Sequence, residues 1–185
     1  QVCEINGCTA TATPDYGAAP LTVNFAGAVD SAGCTGTPTW DWSFGDGGTS
    51  TDQNPVHQYA AGGTYSYSLT VTIGPEQCTA GGMVTVCAVT NCQALATPDY
   101  GAAPLTVNFA GSADFGVCTG TPAWAWTFGD GATSNVQNPT HQYAAGGTYA
   151  YSLTVSEDGS SCATGGTVTV CAVTNCSAIA TPDYG

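Results

Sequence analysis

The 185-residue chain contains no lysine and no arginine, and its thirteen acidic residues give it a formal net charge of −13. Without cationic side chains nothing can release the counterions of a phosphate backbone or meet an anionic lipid surface, so nucleic acid and charged membranes are excluded as partners. Proteases that require Lys or Arg have no site to cut. Charged residues are only 7% of the chain, so its surface is built mainly of Thr, Ser, Gly, Asn and Gln rather than of a self-repelling acidic coat. No apolar run approaches the ~18 residues that cross a bilayer as a helix, and no segment carries a helical apolar stripe with caps. Zinc chemistry has little to work with, because there are two histidines and no CxxC pairs. A basic stretch leading into an apolar one is also missing at the start, which predicts either a removed signal peptide or an internal segment.

What the chain does have is ten cysteines and a repeat. So many cysteines in so few residues predict a disulfide framework made in an oxidising, extracellular compartment. Shifting the sequence by 84 positions aligns Cys8 with Cys92 and Cys176, Cys34 with Cys118, His57 with His141 and Cys78 with Cys162. A period of that length is one small domain, not a solenoid unit, and the organisation expected is beads in tandem. The sequence divides into residues 1–7, the end of a preceding repeat or linker; 8–91, a first domain; 92–175, a second; and 176–185, the first strand of a further repeat, since TPDYG recurs at 13–17, 97–101 and 181–185.

Inside each repeat the hydrophobic period is two. Leu21, Val23 and Phe25 alternate with Thr22 and Asn24; Trp40, Trp42 and Phe44 with Asp41 and Ser43; Tyr65, Tyr67, Leu69 and Val71 with Ser66, Ser68 and Thr70. Such segments are half-buried antiparallel strands, and the Gly, Pro, Asn and Asp clusters between them are turns. Several short strands in so few residues predict an all-β fold, with tandem immunoglobulin-like β-sandwiches.

The segments WDWSFGDGGTSTDQNPVHQYAAGGTYSYSLTV at 40–71 and WAWTFGDGATSNVQNPTHQYAAGGTYAYSLTV at 124–155 resemble the core of PKD (polycystic kidney disease) domains. That family carries a W-x-F-G-D-G, N-P-x-H-x-Y, G-x-Y-x-V-x-L-x-V pattern, and GAAPLTVNFAG is similar to its opening strands. The resemblance covers nearly all of both repeats. It implies a PKD-type sandwich, usually extracellular, that serves as a spacer, adhesive or interaction module and is not an enzyme. The residues that carry it are Trp42, Phe44, Gly45, Asp46, Gly47, His57 and Tyr59, and again Trp126, Phe128, Gly129, Asp130, Gly131, His141 and Tyr143.

Asp46 with His57, and Asp130 with His141, invite a catalytic reading. Gly-Asp-Gly is turn chemistry, however, in which a short carboxylate accepts following backbone amides, and no nucleophile or third orienting group accompanies the pair. No catalytic residue and no cofactor is expected. Loop carboxylates Asp30, Asp46, Asp114 and Asp130 are weak calcium candidates; they lack the spacing of an EF-hand loop, and Asp41 and Asp52 become Ala125 and Val136 in the second repeat. Trp40, Trp42 and Phe44 share one strand face, as core residues do, which leaves Tyr16, Tyr100 and Tyr59 as possible glycan contacts at loop ends. Asn175-Cys176-Ser177 is formally a glycosylation sequon.

In a sandwich of this kind the loop after the second strand and the last hairpin share one end. That predicts Cys34–Cys78 and Cys118–Cys162, each closing about 45 residues and contributing roughly 4 kcal/mol in the chain-entropy model. Cys87 has the opposite parity to Val84 and Val86 and is expected to point away from the core, which makes Cys92 its simplest partner. The same local staple predicts Cys3–Cys8 and Cys171–Cys176. A competing connectivity joins Cys8 to Cys87 and Cys92 to Cys171, leaving Cys3 and Cys176 to bond between chains.

These readings converge on a non-enzymatic structural or interaction protein: disulfide-stabilised tandem repeats, secreted or at the cell surface, forming a rod, repeat array or filament. Its expected partners are copies of itself and surface glycans, without membrane insertion. The alternatives are a polysaccharide-binding or spacer module of a secreted hydrolase, and an adhesin stalk.

Overall fold

The computed structural model describes residues 3–172. The expected strand at 176–185, the sequon at 175–177 and Cys176 lie outside the described residues. Every regular element described is a β-strand. The first repeat supplies β1 (Glu4–Thr13), β2 (Tyr16–Ala18), β3 (Leu21–Ala32), β4 (Thr39–Ser43), β5 (Thr49–Ser50), β6 (Val56–Tyr59), β7 (Gly63–Ile73) and β8 (Glu76–Cys87). The second supplies β9 (Thr90–Thr97), β10 (Tyr100–Ala102), β11 (Leu105–Asp114), β12 (Ala123–Thr127), β13 (Thr133–Ser134), β14 (Thr140–Tyr143), β15 (Gly147–Glu157) and β16 (Ser160–Cys171).

Each repeat folds into two sheets. In the first, β1-β3-β6 faces β2-β8-β7-β4-β5; in the second, the corresponding sheets are β9-β11-β14 and β10-β16-β15-β12-β13. This is the all-β, immunoglobulin-like sandwich that the period-two patterning predicts. Proline explains how the opening strand serves both sheets. Thr13 closes the ladder of β1 with β3, Pro14 has no N–H to continue it, and Asp15 then offers its carbonyl to the Thr85 amide at 2.8 Å. From there β2 runs parallel to β8, with Gly17 opposite Val86 and Ala18 opposite Cys87. The second repeat makes the same transfer, as the Thr169 amide donates to the Asp99 carbonyl.

The alternating residues of these strands form the core. Val23, Trp42, Tyr59, Leu69, Val71, Val84 and Val86 are fully buried in the first repeat, as are Val107, Leu153, Val155 and Val168 in the second. Phe25 organises the first cluster, with its ring centroid 5.4 Å from Trp42, 4.9 Å from Phe44 and 5.1 Å from Tyr67. Phe109 does the same for Trp126, Phe128 and Tyr151. Such tilted and edge-on pairs add about 0.5–1.5 kcal/mol each beyond area burial. Gly45, at φ +86°, lets the chain pass under β7: a Cβ there would stand 2.4 Å from the Ser66 carbonyl oxygen.

The chain clusters into two compact units that do not coincide with the sequence repeats. Among the described residues, the first runs to Val89 and takes in Phe115–Thr121 and Glu157–Ser161; the second comprises Thr90–Asp114, Pro122–Ser156 and residues 162–172.

The disulfides correct the expected pairing. The observed bonds are Cys3–Cys34, Cys8–Cys78, Cys87–Cys118 and Cys92–Cys162. The predicted Cys3–Cys8, Cys34–Cys78, Cys87–Cys92 and Cys118–Cys162 are not formed. Nor are Cys8–Cys87 and Cys92–Cys171 of the competing scheme, and Cys171 has no disulfide partner among the described residues. The reason is strand parity. Cys8 lies in phase with the inward residues Ala10 and Ala12 of β1, and Cys78 with Val84 and Val86 of β8, so both sulfurs enter the sandwich and bridge its two sheets. Cys92 and Cys162 repeat this bridge, which removes Cys92 as a partner for Cys87. The parity of Cys87 sets it apart from the Val84 and Val86 cluster, yet it is completely buried, because the Phe115–Thr121 segment covers it and is bonded to it.

Candidate functional site

Two constellations of polar residues stand out: the Gly-Asp-Gly turn with its histidine, and the surroundings of the Cys87–Cys118 bridge.

At the turn, the Asp46 carboxylate accepts from the Gly48 amide at 2.9 Å and lies 2.7 Å from His57 Nε2. The imidazole stacks on Phe44, centroids 4.2 Å apart, and meets the edge of Tyr59 at 4.8 Å. Beneath it the Tyr59 hydroxyl donates to the Phe44 carbonyl at 2.9 Å. Partial burial raises the Asp46 carboxyl, but donation from Gly48 and the proximity of His57 outweigh it and hold the group below its usual value. Burial chiefly, helped by the Asp46 charge, pushes the Tyr59 phenol up to about 12. Asp130, Ala132, His141, Phe128 and Tyr143 reproduce every one of these contacts in the second repeat.

Each part of this cluster is engaged in holding another part. The carboxylate caps a turn, the histidine fills the space between carboxylate and aromatic ring, and the tyrosine ties β6 to the end of β4. The family-motif residues Trp42, Phe44, Gly45, Asp46, Gly47, His57 and Tyr59 therefore sit together as packing and turn chemistry. Tyr59, one of the suggested glycan contacts, is wholly buried and does not serve as one. Among the described residues no group of three or more His, Cys, Asp or Glu gathers around a common point, and the calcium candidates Asp30, Asp46, Asp114 and Asp130 do not converge.

The second constellation is built at the end of β8, inside the first compact unit. Cys87 closes that strand, bonded to Cys118 with a Cα–Cα distance of 4.6 Å. The Glu157 carbonyl oxygen lies 3.6 Å from the Cys87 sulfur, and the buried Ser160 hydroxyl accepts from the Val89 amide at 2.9 Å. Beside the bridge, Tyr16 on β2 donates its hydroxyl to the Asp158 carboxylate. That carboxylate also accepts the amides of Thr119 at 3.1 Å and Gly120 at 3.0 Å. With no lysine or arginine in the chain, donors of this kind are what an acid can use, and donation from Tyr16 first, then from Thr119, holds Asp158 below its usual value. One sulfur bridge and a cage around one carboxylate thus fasten the loop after β11 and the β15–β16 turn to the last strand of the first repeat.

A second version of the bridge occurs at the start of the chain. Cys3, which aligns with Cys87, bonds to Cys34, which aligns with Cys118; both bonds span 31 residues, with Cα–Cα 4.3 Å in the first. The carbonyl oxygen of Ile73, the counterpart of Glu157, lies 4.0 Å from the Cys3 sulfur. Asp158, Ser160 and Thr119 were not legible as a site, because each is an ordinary turn residue in the sequence. The one available signal was a departure from the repeat: Asp158 and Ser160 replace Gly74 and Glu76.

Comparison with known proteins agrees with this architecture. The PKD domain family matches residues 8–87 and again 92–172. A curated relative, the microbial collagenase of Vibrio alginolyticus, is 61% identical over 31 residues, which is 17% of this chain and 4% of that protein. Among solved structures, an I-band fragment of titin superposes with a TM-score of 0.50 at 8% identity, covering 92% of this chain and 66% of that one. Three N-terminal domains of the highly immunogenic outer capsid protein of bacteriophage RB49 give a TM-score of 0.46 at 12% identity, over 90% of this chain and 59% of that one. The chain belongs to the PKD domain family, as two PKD domains in tandem.

Proposed function

We propose that this protein is a non-enzymatic structural element of the extracellular space, whose PKD repeats are locked one to the next into a rod or filament of interchangeable units. The observation that carries the reading is the Cys87–Cys118 bridge, which ties the last strand of one repeat to a loop of the following repeat. A bond in that position does nothing for the interior of either sandwich, which already has its own Cys8–Cys78 or Cys92–Cys162 bridge. Its effect is to restrict the junction, as a load-carrying or shape-holding array requires. The four disulfides among the described residues fit an oxidising compartment, and no helix among those residues is long and apolar enough to cross a membrane. The absence of Lys and Arg adds resistance to basic-residue proteases.

Small-angle scattering of the wild-type chain and of the Cys87→Ser/Cys118→Ser variant tests this. A wild-type profile of fixed elongation that broadens into a flexible two-body profile in the variant supports the rod. Identical flexible profiles refute it. A second reading, a spacer module of a secreted hydrolase, draws support from the short collagenase match; it expects an unassembled, flexible pair and no fibres in the electron microscope.

A further inference from the structure

We propose that Cys171 and Tyr100 form the receiving half of a further junction, which takes the Cys-Thr-Gly loop of another repeat of this kind through a disulfide to its cysteine. The inference rests on the repeat-array reading above and adds the residue and the loop through which the array continues.

One repeat earlier, the receiving parts are Cys87 at the end of β8 and Tyr16 on β2, held side by side because Ala18 pairs with Cys87 in the parallel ladder. What they hold is the loop Cys118-Thr119-Gly120: the cysteine is bonded to Cys87, and the Thr119 amide and hydroxyl both lie 3.3 Å from the Tyr16 hydroxyl. The second repeat rebuilds the same parts in the same register. Ala102 pairs with Cys171 in the ladder of β10 with β16, and the Cys171 thiol donates to the Tyr100 hydroxyl at 3.0 Å. Tyr100 is 64% exposed, so the pair is reachable. The loop it fits occurs twice in this chain, at 34–36 and 118–120, each time bonded to a cysteine at the Cys87-equivalent position 31 residues before it. Two bonded instances with unchanged spacing, the second with a tyrosine beside the bridge, identify the ligand of the third.

Bond formation is a two-electron oxidation. The two thiols lose two protons and two electrons to a disulfide oxidant such as oxidised glutathione, which leaves as two glutathione thiols, while one S–S bond forms between the partners.

The test uses the full chain carrying Cys3→Ser, in which the Cys34 loop loses its own partner and becomes the probe for Cys171 of a second copy. Air-free protein is exposed to oxidised glutathione and run without reductant, then mapped by peptide mass. A ladder of covalent oligomers linked Cys34 to Cys171, lost in Cys3→Ser/Cys171→Ser, supports the proposal. No ladder, or one that survives the second substitution, overturns it. Mapping wild-type protein guards against a misfolded variant: a Cys171–Cys176 bond there overturns the proposal, and a Cys171 thiol left free while Cys34 and Cys118 keep their own partners supports it. Scattering from monomeric wild-type chain reads the Cys87–Cys118 junction and does not involve Cys171, so loss of the rod and loss of the Cys171 junction are read separately.

Discussion

Alkaline titration offers a quantitative probe of the aromatic turn cluster. Tyr59 and Tyr143 are buried, each donates its hydroxyl to a backbone carbonyl, and each phenol is pushed from 10.0 up to about 12. Below pH 10 both folded and unfolded chains carry these groups protonated, and the stabilisation is fully present. Between pH 10 and about 12 the unfolded chain ionises while the folded one does not, so stability is lost as the pH rises. Two units correspond to about 2.7 kcal/mol per domain at the upper limit, against a typical domain stability of about 5–15 kcal/mol. The measurement is urea unfolding followed by circular dichroism across this range, with tyrosinate absorbance recorded in parallel. Tyrosinate from Tyr59 and Tyr143 is expected to appear only with loss of the strand signal. Tyr59→Phe should cost about 1–3 kcal/mol at neutral pH, since the Phe44 carbonyl loses its donor, and should flatten the alkaline decline of the first domain. If all nine tyrosines titrate together near pH 10 with the fold intact, the account of the cluster is wrong.

Two further outcomes follow from the same geometry. Gly45→Ala and Gly129→Ala should each destabilise by about 2 kcal/mol or more, because positive φ combines with a Cβ 2.4 Å from a backbone oxygen. Gly47→Ala, at φ +97° but with open space around it, should cost only about 1 kcal/mol, and chemical unfolding of the three variants checks the order. Replacing both Cys8 and Cys78 by Ala removes a bridge spanning 70 residues and should lower stability by about 4 kcal/mol, and removing Cys87 and Cys118, whose bridge spans 31, should lower it by slightly less, about 3–4 kcal/mol, as calorimetry of the two double variants would report.

Strand positions, the sandwich class and the core were legible because period-two alternation is a local property: Val23, Phe25, Trp42, Leu69 and Val71 declare their face by their neighbours. The turn cluster was legible for a similar reason, since Asp46 and His57 lie only eleven positions apart in the sequence. The disulfides are not legible in this way, because proximity in sequence is not proximity in space. Cys87 and Cys92 are five positions apart but belong to different compact units, and Cys92 faces its own sandwich interior. Parity, used to judge Cys87, would also have revealed that Cys8 and Cys78 both point inward.

The sequence by itself determined the repeat, its length, the strands and the buried aromatic cluster. All of these depend on residue type and spacing within one repeat. Only the tertiary structure decided which cysteines meet and which residues gather around Asp158, because those pairings span 31 to 142 positions and depend on where whole strands place their ends. No local pattern encodes a carboxylate held by a tyrosine that lies 142 positions away in the sequence.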